Sequence, residues 1–285
     1  MTVGGDKLEY SNDTASPTAT LLDTKLILNS TISDHKKYGS KFCSIDIKDF
    51  FLQTTLDTPE YIRIHKKYFT QEFLQAYKMN HLPASDGYVY CEINKGMYGL
   101  KQAAILAYQQ LVRRLARHGY FPMKSSNGLW AHESRRTIFA LCVDDFGVKY
   151  GNPQDLEHLI KTLKQYYDIT IDSEGKNFCG LTLDWKYNEG HVDVSMPSYV
   201  AKKLKTYQHP IPSKPQYAPH KWNKPAYGRK LQYAPPPDDT PKLNQTGATR
   251  IQAICGSLFS TMLVRSTRQS SLLLMKYLHN KQRQH

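Results

Sequence analysis

Two apolar runs, residues 137–143 and 146–150, are separated only by Asp144 and Asp145, so the chain has almost no room to do anything there except double back. A connection this short suits antiparallel strands joined by a tight turn. Two carboxylates held together at an apolar hairpin tip repel each other and lose hydration, which is costly unless something positive lies between them. A divalent cation is the simplest such group: magnesium takes one or two protein carboxylates and fills its octahedron with water and substrate phosphates. The setting carries this signal, since adjacent acids alone are weak evidence. Asp238 and Asp239 are also adjacent, but they lie between Pro237 and Pro241 and read as solvated loop.

Around that hairpin the periodicity changes in a definite order. Residues 41–47 alternate, with Phe42, Ile45 and Ile47 interleaved with Cys43, Ser44 and Asp46, as a strand carrying a carboxylate near its end would. Ala104, Leu106, Leu111 and Leu115 fall at helical spacing and the run stops at Gly119, a residue suited to a left-handed helix end. Asn152 and Pro153 start a second helix with Leu156, Leu159, Ile160 and Leu163 on one face. Residues 178–186 and 191–196 form a further hairpin across Asn188, Glu189 and Gly190. Strand, helix, hairpin, helix is the order of an α+β fold in which a split antiparallel sheet carries helices on one face. Ahead of it, residues 1–40 are a polar lead-in with a short helix marked by Leu21, Leu22, Leu26 and Leu28.

The 285 residues suffice for one large or two modest domains, and 40% hydrophobic content with 20 tyrosines excludes disorder as the main state. No apolar run approaches the roughly 18 to 20 residues of a membrane span, and no signal peptide opens the chain, so a soluble intracellular protein is expected. The net charge of +13 is unevenly spread: residues 1–189 hold 23 basic and 22 acidic side chains, residues 190–260 hold 10 and 3, and residues 261–285 hold 5 and none. A basic segment joined to a balanced one suits a polyanion, with nucleic acid ahead of a membrane surface or simple solubility. Nine of the 15 prolines lie between residues 210 and 241, which predicts an extended segment there. Cys43, Cys91, Cys142, Cys179 and Cys255 form no C-x-x-C pair and are expected to be small core residues in the main.

Four segments resemble, in order and spacing, the motifs of copia-type retrotransposon reverse transcriptases: KFCSIDIKDFF at 41–51, KGMYGLKQA at 95–103, CVDDFG at 142–147 and FCGLTL at 178–183. The resemblance spans roughly residues 15–260. It implies a right-hand polymerase palm at residues 41–187, partial fingers in residues 1–40, and a partial thumb or connection-like segment in the basic, proline-rich residues 188–260. The activity implied is RNA-directed DNA synthesis by nucleotidyl transfer with two Mg²⁺ ions, for which Mn²⁺ is a possible substitute. Asp46 and Asp144 would be the main metal ligands and Asp145 the less direct one, all three catalytic. Asp49 matches the position beside the incoming triphosphate, Phe51 the ring that crowds the sugar 2′ position, and Gln102 a glutamine set against the nucleotide. Gly96 and Gly99 would allow close approach of backbone to substrate. Phe178, Cys179, Gly180 and Leu181 match the hairpin that grips the primer end, and Lys176 stands either as a proton donor to pyrophosphate or as a solvated turn lysine. Without the motif, Phe51 reads as an ordinary core ring. The partners implied are an RNA template, a DNA or RNA primer and deoxynucleoside triphosphates, with integrase and ribonuclease H as other segments of the ancestral polyprotein, and no membrane.

Two departures from the family pattern predict a degenerate polymerase. Only 45 residues precede Asp46, too few for the basic fingers hairpin that contacts the nucleotide phosphates, and loss of charge-assisted contacts of roughly 1.5 to 3 kcal/mol each weakens nucleotide binding. Codons can be chosen for residues 260–277 that, prefixed by one base and read in the shifted frame, spell the continuation found in the resembled family, so residues 261–285 are expected to be an out-of-frame tail. The alternative function is a catalytically silent nucleic-acid-binding remnant.

Overall fold

The computed structural model describes residues 3–5, 8–79, 86–208 and 241–265. The chain divides into two compact units, residues 1–193 and 194–285. In the first unit the elements run α1 (Leu21–Tyr38), β1 (Lys41–Ile47), β2 (Thr55–His65), α2 (Gln71–Ala76), β3 (Tyr88–Lys95), α3 (Ala103–Ala116), β4 (Tyr120–Met123), β5 (Ser126–His132), β6 (Thr137–Cys142), β7 (Asp145–Tyr150), α4 (Pro153–Lys164), β8 (Ile169–Asp172), β9 (Asn177–Phe178), β10 (Leu181–Lys186) and β11 (His191–Ser195). In the second lie α5 (Pro197–Thr206) and α6 (Gln245–Arg265). None of the described helices is long and apolar enough to cross a membrane.

Six strands form the central sheet in the order β4-β5-β6-β7-β1-β8. β1 runs antiparallel to both β7 and β8, although five strands separate it from β7 in the chain, which is the split arrangement expected of a palm. Alternation along β1 sorts its side chains onto two faces. Cys43, Ile45 and Ile47 enter the main core with Phe146 and Val148 of β7. There they meet the stripe Ala103, Ala107, Leu111 and Leu115 of α3 and Leu159 and Leu163 of α4, apolar positions four apart on each helix.

Phe42, Ser44 and Asp46 point to the opposite face, which β9 and β10 cover. The Ser44 hydroxyl donates to Asn177 O at 2.6 Å, Phe42 N–H donates to the Tyr187 hydroxyl at 3.1 Å, and the Phe42 ring lies 5.1 Å from Trp185 and 5.9 Å from Phe178. α1 packs on this face as well, an addition to the two helices expected on the other one: Lys149 of β7, buried between Val148 and Tyr150, extends to Asp34 of α1 at 2.6 Å. The helix is longer than Leu21 to Leu28 suggested because both its ends are capped. Thr20 and Asp23 form a reciprocal capping box, and Gly39 closes the last turn at φ 67°.

The strands β2 and β3, for which the sequence reading had no element, pair as a separate two-stranded sheet with a register shift between Thr55 and Glu60. In the second unit the Tyr207 hydroxyl donates to Ala253 O at 2.9 Å and Arg250 donates to Tyr207 O at 3.1 Å, joining the end of α5 to α6. Most of the proline-rich segment, with Asp238 and Asp239, and the tail from residue 266 onward lie outside the described residues. The expectation that the cysteines are core residues holds fully only for Cys43; Cys91, Cys142 and Cys255 are partly buried and Cys179 is exposed. Turn geometry rather than apolar neighbours decides the last case, because Cys179 occupies a hairpin tip.

Candidate active site

Asp46 lies directly across from Asp145 in the β1–β7 ladder. The register continues one step further, where Ile47 N–H donates to Asp144 O at 3.1 Å. β6 and β7 are closed by Cys142 opposite Asp145, leaving Val143 and Asp144 as a two-residue turn. Three carboxylates from two distant stretches of sequence therefore meet at one end of the sheet. Asp46, being even-numbered in a strand whose odd positions fill the core, faces the side that β9 and β10 cover.

The turn is strained. Val143 has φ 63°, a left-handed conformation that glycine normally supplies at the first position of such a hairpin and that costs a β-branched residue of order 1 to 3 kcal/mol. Its side chain is 37% exposed, so little packing offsets the cost. Val143→Gly is expected to raise the stability of the protein by about 1 kcal/mol, read as an increase in the denaturant midpoint at unchanged slope.

Electrostatics separates these carboxylates from surface ones. Burial, then repulsion from Asp144 and Asp46, pushes the Asp145 carboxyl up to about 6, and burial with repulsion from Asp46 raises Asp144 above the usual carboxylate range. Among the described residues none of the three is in an ion pair. A carboxyl that holds its proton more tightly in the folded state than in the unfolded one stabilises the fold most below about pH 4, and loses that contribution as the pH rises through about 6. Without divalent metal, Asp145→Asn is therefore expected to be more stable than wild type at pH 7 to 8, with the difference vanishing near pH 4. The gain is on the order of 1 kcal/mol once solvent screening of a half-buried group is allowed for, and paired thermal melts across that pH range would measure it.

The hairpin expected at residues 178–183 is present. Phe178 pairs with Leu181, and the two residues between them, Cys179 at φ 48° and Gly180 at φ 76°, are both left-handed, as in a type I′ turn. Phe178 is 2% exposed, and its ring lies so close above Gly147 of β7 that a Cβ there would stand 2.8 Å from it. Interaction with Cys179 offsets part of the rise at Asp145. Lys176 is paired with Glu174 on an exposed turn.

The remaining expected residues divide. Asp49, at φ 50°, turns the chain out of β1 into a single 3₁₀ turn, Phe50–Gln53. Phe51 is buried in the main core, its ring in edge contact with Tyr98 at 4.8 Å. Gln102 is 4% exposed, and its amide donates to Glu60 of β2 at 2.7 Å while its own oxygen has no partner. Gly96 is required by the chain itself, since a Cβ there would stand 2.6 Å from Phe51 O. Tyr98, which the sequence reading did not single out, is 43% exposed. Burial and the charges of Asp144, Asp49 and Asp46 raise its hydroxyl, which places it beside the carboxylates. Its position within KGMYGLKQA was the available signal.

The side chains fit divalent metal in their chemistry, hard oxygen donors of unneutralised negative charge. Among the described residues no three His, Cys, Asp or Glu side chains already converge on one point, so water and phosphate oxygens would have to supply most of each ion's ligands, as they do for magnesium.

A putative transposon Ty5-1 protein of Saccharomyces cerevisiae is 25% identical over 160 residues, covering 55% of this chain and 47% of the relative; the chain thus spans about half the length of that relative. Among solved structures, telomerase from Candida albicans in complex with a fragment of telomeric RNA superposes with a TM-score of 0.36 at 12% identity, over 67% of this chain and 39% of that one. Apo telomerase from Candida tropicalis, truncated from its C-terminal domain, gives 0.35 at 13% identity over 64% and 40%. The family model for reverse transcriptase (RNA-dependent DNA polymerase) matches residues 5–219, and with that span the chain belongs to the reverse transcriptase family.

Proposed function

We propose that the palm of this chain performs RNA-directed DNA synthesis by two-metal nucleotidyl transfer, with Asp46 and Asp144 as the principal metal ligands and Asp145 as the less direct one. The observation that supports this most is the register that sets Asp46 against Asp145 and bonds Ile47 to Asp144. It gathers three carboxylates that form no ion pair among the described residues. Bound Mg²⁺ would supply the positive charge that makes a primer 3′-hydroxyl nucleophilic and stabilises the departing pyrophosphate; Mn²⁺ has the same donor preference.

The chain's own residues then orient the reactants. The left-handed bend at Asp49 presents backbone beside the carboxylates, where the triphosphate belongs. Tyr98 rests edge-on against Phe51 and exposes a ring toward the same acids, so the two form an aromatic wall for the sugar, with Phe51 acting through Tyr98 as much as directly. Gln102 is engaged with Glu60 and in this reading holds the β2–β3 hairpin against the start of α3. The turn of Phe178, Cys179, Gly180 and Leu181 lies on the carboxylate face, where a primer end would be held. The exposed lysines of α5, Lys202 and Lys205, together with the basic excess of residues 190–260, suit a template–primer backbone.

Primer extension on an RNA template with Mg²⁺ and deoxynucleoside triphosphates tests the proposal. The expected result is template-directed extension, weak as befits a degenerate polymerase, that a chelator abolishes. The silent-remnant reading predicts instead template–primer binding that falls steeply with salt, is indifferent to Mg²⁺, and is accompanied by no extension; that outcome would overturn the proposal.

A further inference from the structure

Between β3 and α3 the chain makes a tight turn, closed by Leu100 N–H donating to Met97 O at 3.1 Å. With Gly99 at φ 100° in its third position, this is the arrangement of a type II turn. Residues from the other end of the sequence cross it. Val3 N–H donates to Tyr98 O at 2.9 Å, the Lys101 ammonium donates to Leu8 O at 2.6 Å, and Leu8 N–H donates to Gly5 O at 3.2 Å. Gly5 is buried so closely against the turn that a Cβ there would collide with Gly99 O. Val3 belongs to the main core and Leu8 packs against it. The same stretch of chain is pinned further on, where Ala19 N–H donates to Leu141 O of β6 at 2.7 Å and the Ala19 backbone leaves Gly128 of β5 no room for a side chain.

We propose that Val3, Gly5 and Leu8 are positioning residues: they strap the turn of residues 97–101 to the palm and hold the Tyr98 ring where a nucleotide would meet it. This rests on the reading of Phe51 and Tyr98 as the wall of the nucleotide site, and names what keeps that wall in place.

Met97 packs against the main core and Leu100 lies within it, which fixes where the turn sits. The peptide between Tyr98 and Gly99 has no such anchor. Glycine adopts either sign of φ at little cost, so this peptide could flip and convert the turn from type II to type I. Val3 N–H selects one of the two states by holding Tyr98 O, and Gly5 closes the space beside Gly99 O. In a trans peptide the N–H points opposite to the C=O, so the Gly99 N–H is turned to the side away from the strap. Tyr98 meets Phe51 edge-on at 4.8 Å, and Phe51 lies in the 3₁₀ turn that follows Asp49 out of β1. Displacing the strap therefore disturbs the ring without altering a carboxylate.

Gly5→Ala in the full chain tests the proposal. Gly5 is outside the left-handed region, so alanine there meets an obstacle of space alone. Amide hydrogen exchange is expected to quicken about tenfold across residues 97–101 while β6 and β7 keep their protection. In primer extension the KM for deoxynucleotide should rise about tenfold with kcat within about twofold of wild type. Val3→Pro, which removes the N–H given to Tyr98 O, should act in the same direction. Leu159→Val, which thins the core on α4, is the control: it should lower the melting temperature and change neither the exchange of the turn nor KM. Unchanged exchange at the turn, exchange quickened equally throughout the palm, or a KM equal to that of wild type in a chain that extends primer would each overturn the proposal. Exchange quickened at the turn alone, in a chain that extends no primer, would count for the strap and against the polymerase reading.

Discussion

Asp144→Asn is expected to reduce template-directed primer extension by about 10³-fold or more, on the order of 4 kcal/mol of transition-state stabilisation, while the protein becomes no less stable. The two halves of that expectation come from the same geometry. Asp144 sits in a two-residue turn, offers hard oxygen donors next to Asp46 and Asp145, and holds its proton more tightly than an ordinary carboxylate because of burial and Asp46. An amide keeps the shape, removes the charge that would hold metal and relieves the repulsion. A residue that merely supports the fold would lose stability and activity together. Single-turnover extension measured beside thermal melts in chelator separates the cases: a variant both inactive and markedly less stable would remove Asp144 from the metal-binding role.

Phe178→Ala is expected to be the most damaging single truncation on the carboxylate face, costing about 3 to 5 kcal/mol. The ring is 2% exposed, meets Phe42 edge to face, and is the part of the β9–β10 hairpin that seats it on β7. The seat exists because residue 147 has no side chain. Gly147→Ala in the wild-type background drives a Cβ to within 2.8 Å of the ring and should cost about 1 to 3 kcal/mol. Combined with Phe178→Ala, the same methyl enters vacated space and should cost nothing or recover a little. Denaturant titrations of the four proteins in the cycle are expected to show a coupling of about 1 to 2 kcal/mol; additivity within about 0.5 kcal/mol would mean that ring and glycine do not meet as described.

The parts of the fold that were readable in the sequence are those in which one local period governs a whole element. Residues 41–47 form a strand, although Cys43 and not Phe42 shares the core face with Ile45 and Ile47; residues 103–116 form a helix with one apolar stripe; and the apolar runs turn at Val143 and Asp144, one residue ahead of the doublet. The helix from Leu21 was underestimated because its far end is stopped by Gly39 rather than by a change of period. The β2–β3 pair went unrecognised although Tyr61 to His65 alternates. Its strands are joined by a long connection instead of a turn, and the register shift between Thr55 and Glu60 breaks the pattern where it would have been clearest.

Within the site, residue types were legible and contacts were not. Nothing in KGMYGLKQA says that Gln102 turns inward to Glu60 while Tyr98 stays out beside the acids; that depends on where β2 passes the start of α3.

By itself, the sequence determined the hairpin and the helices that pack behind it, because two-residue turns and apolar periods act between near neighbours. Only the tertiary structure decided that Asp46 stands opposite Asp145 and that Phe178 rests on Gly147. Those contacts join positions separated by 31 to 99 residues, and their geometry is set by sheet register and by the packing of two faces, quantities that no local pattern contains.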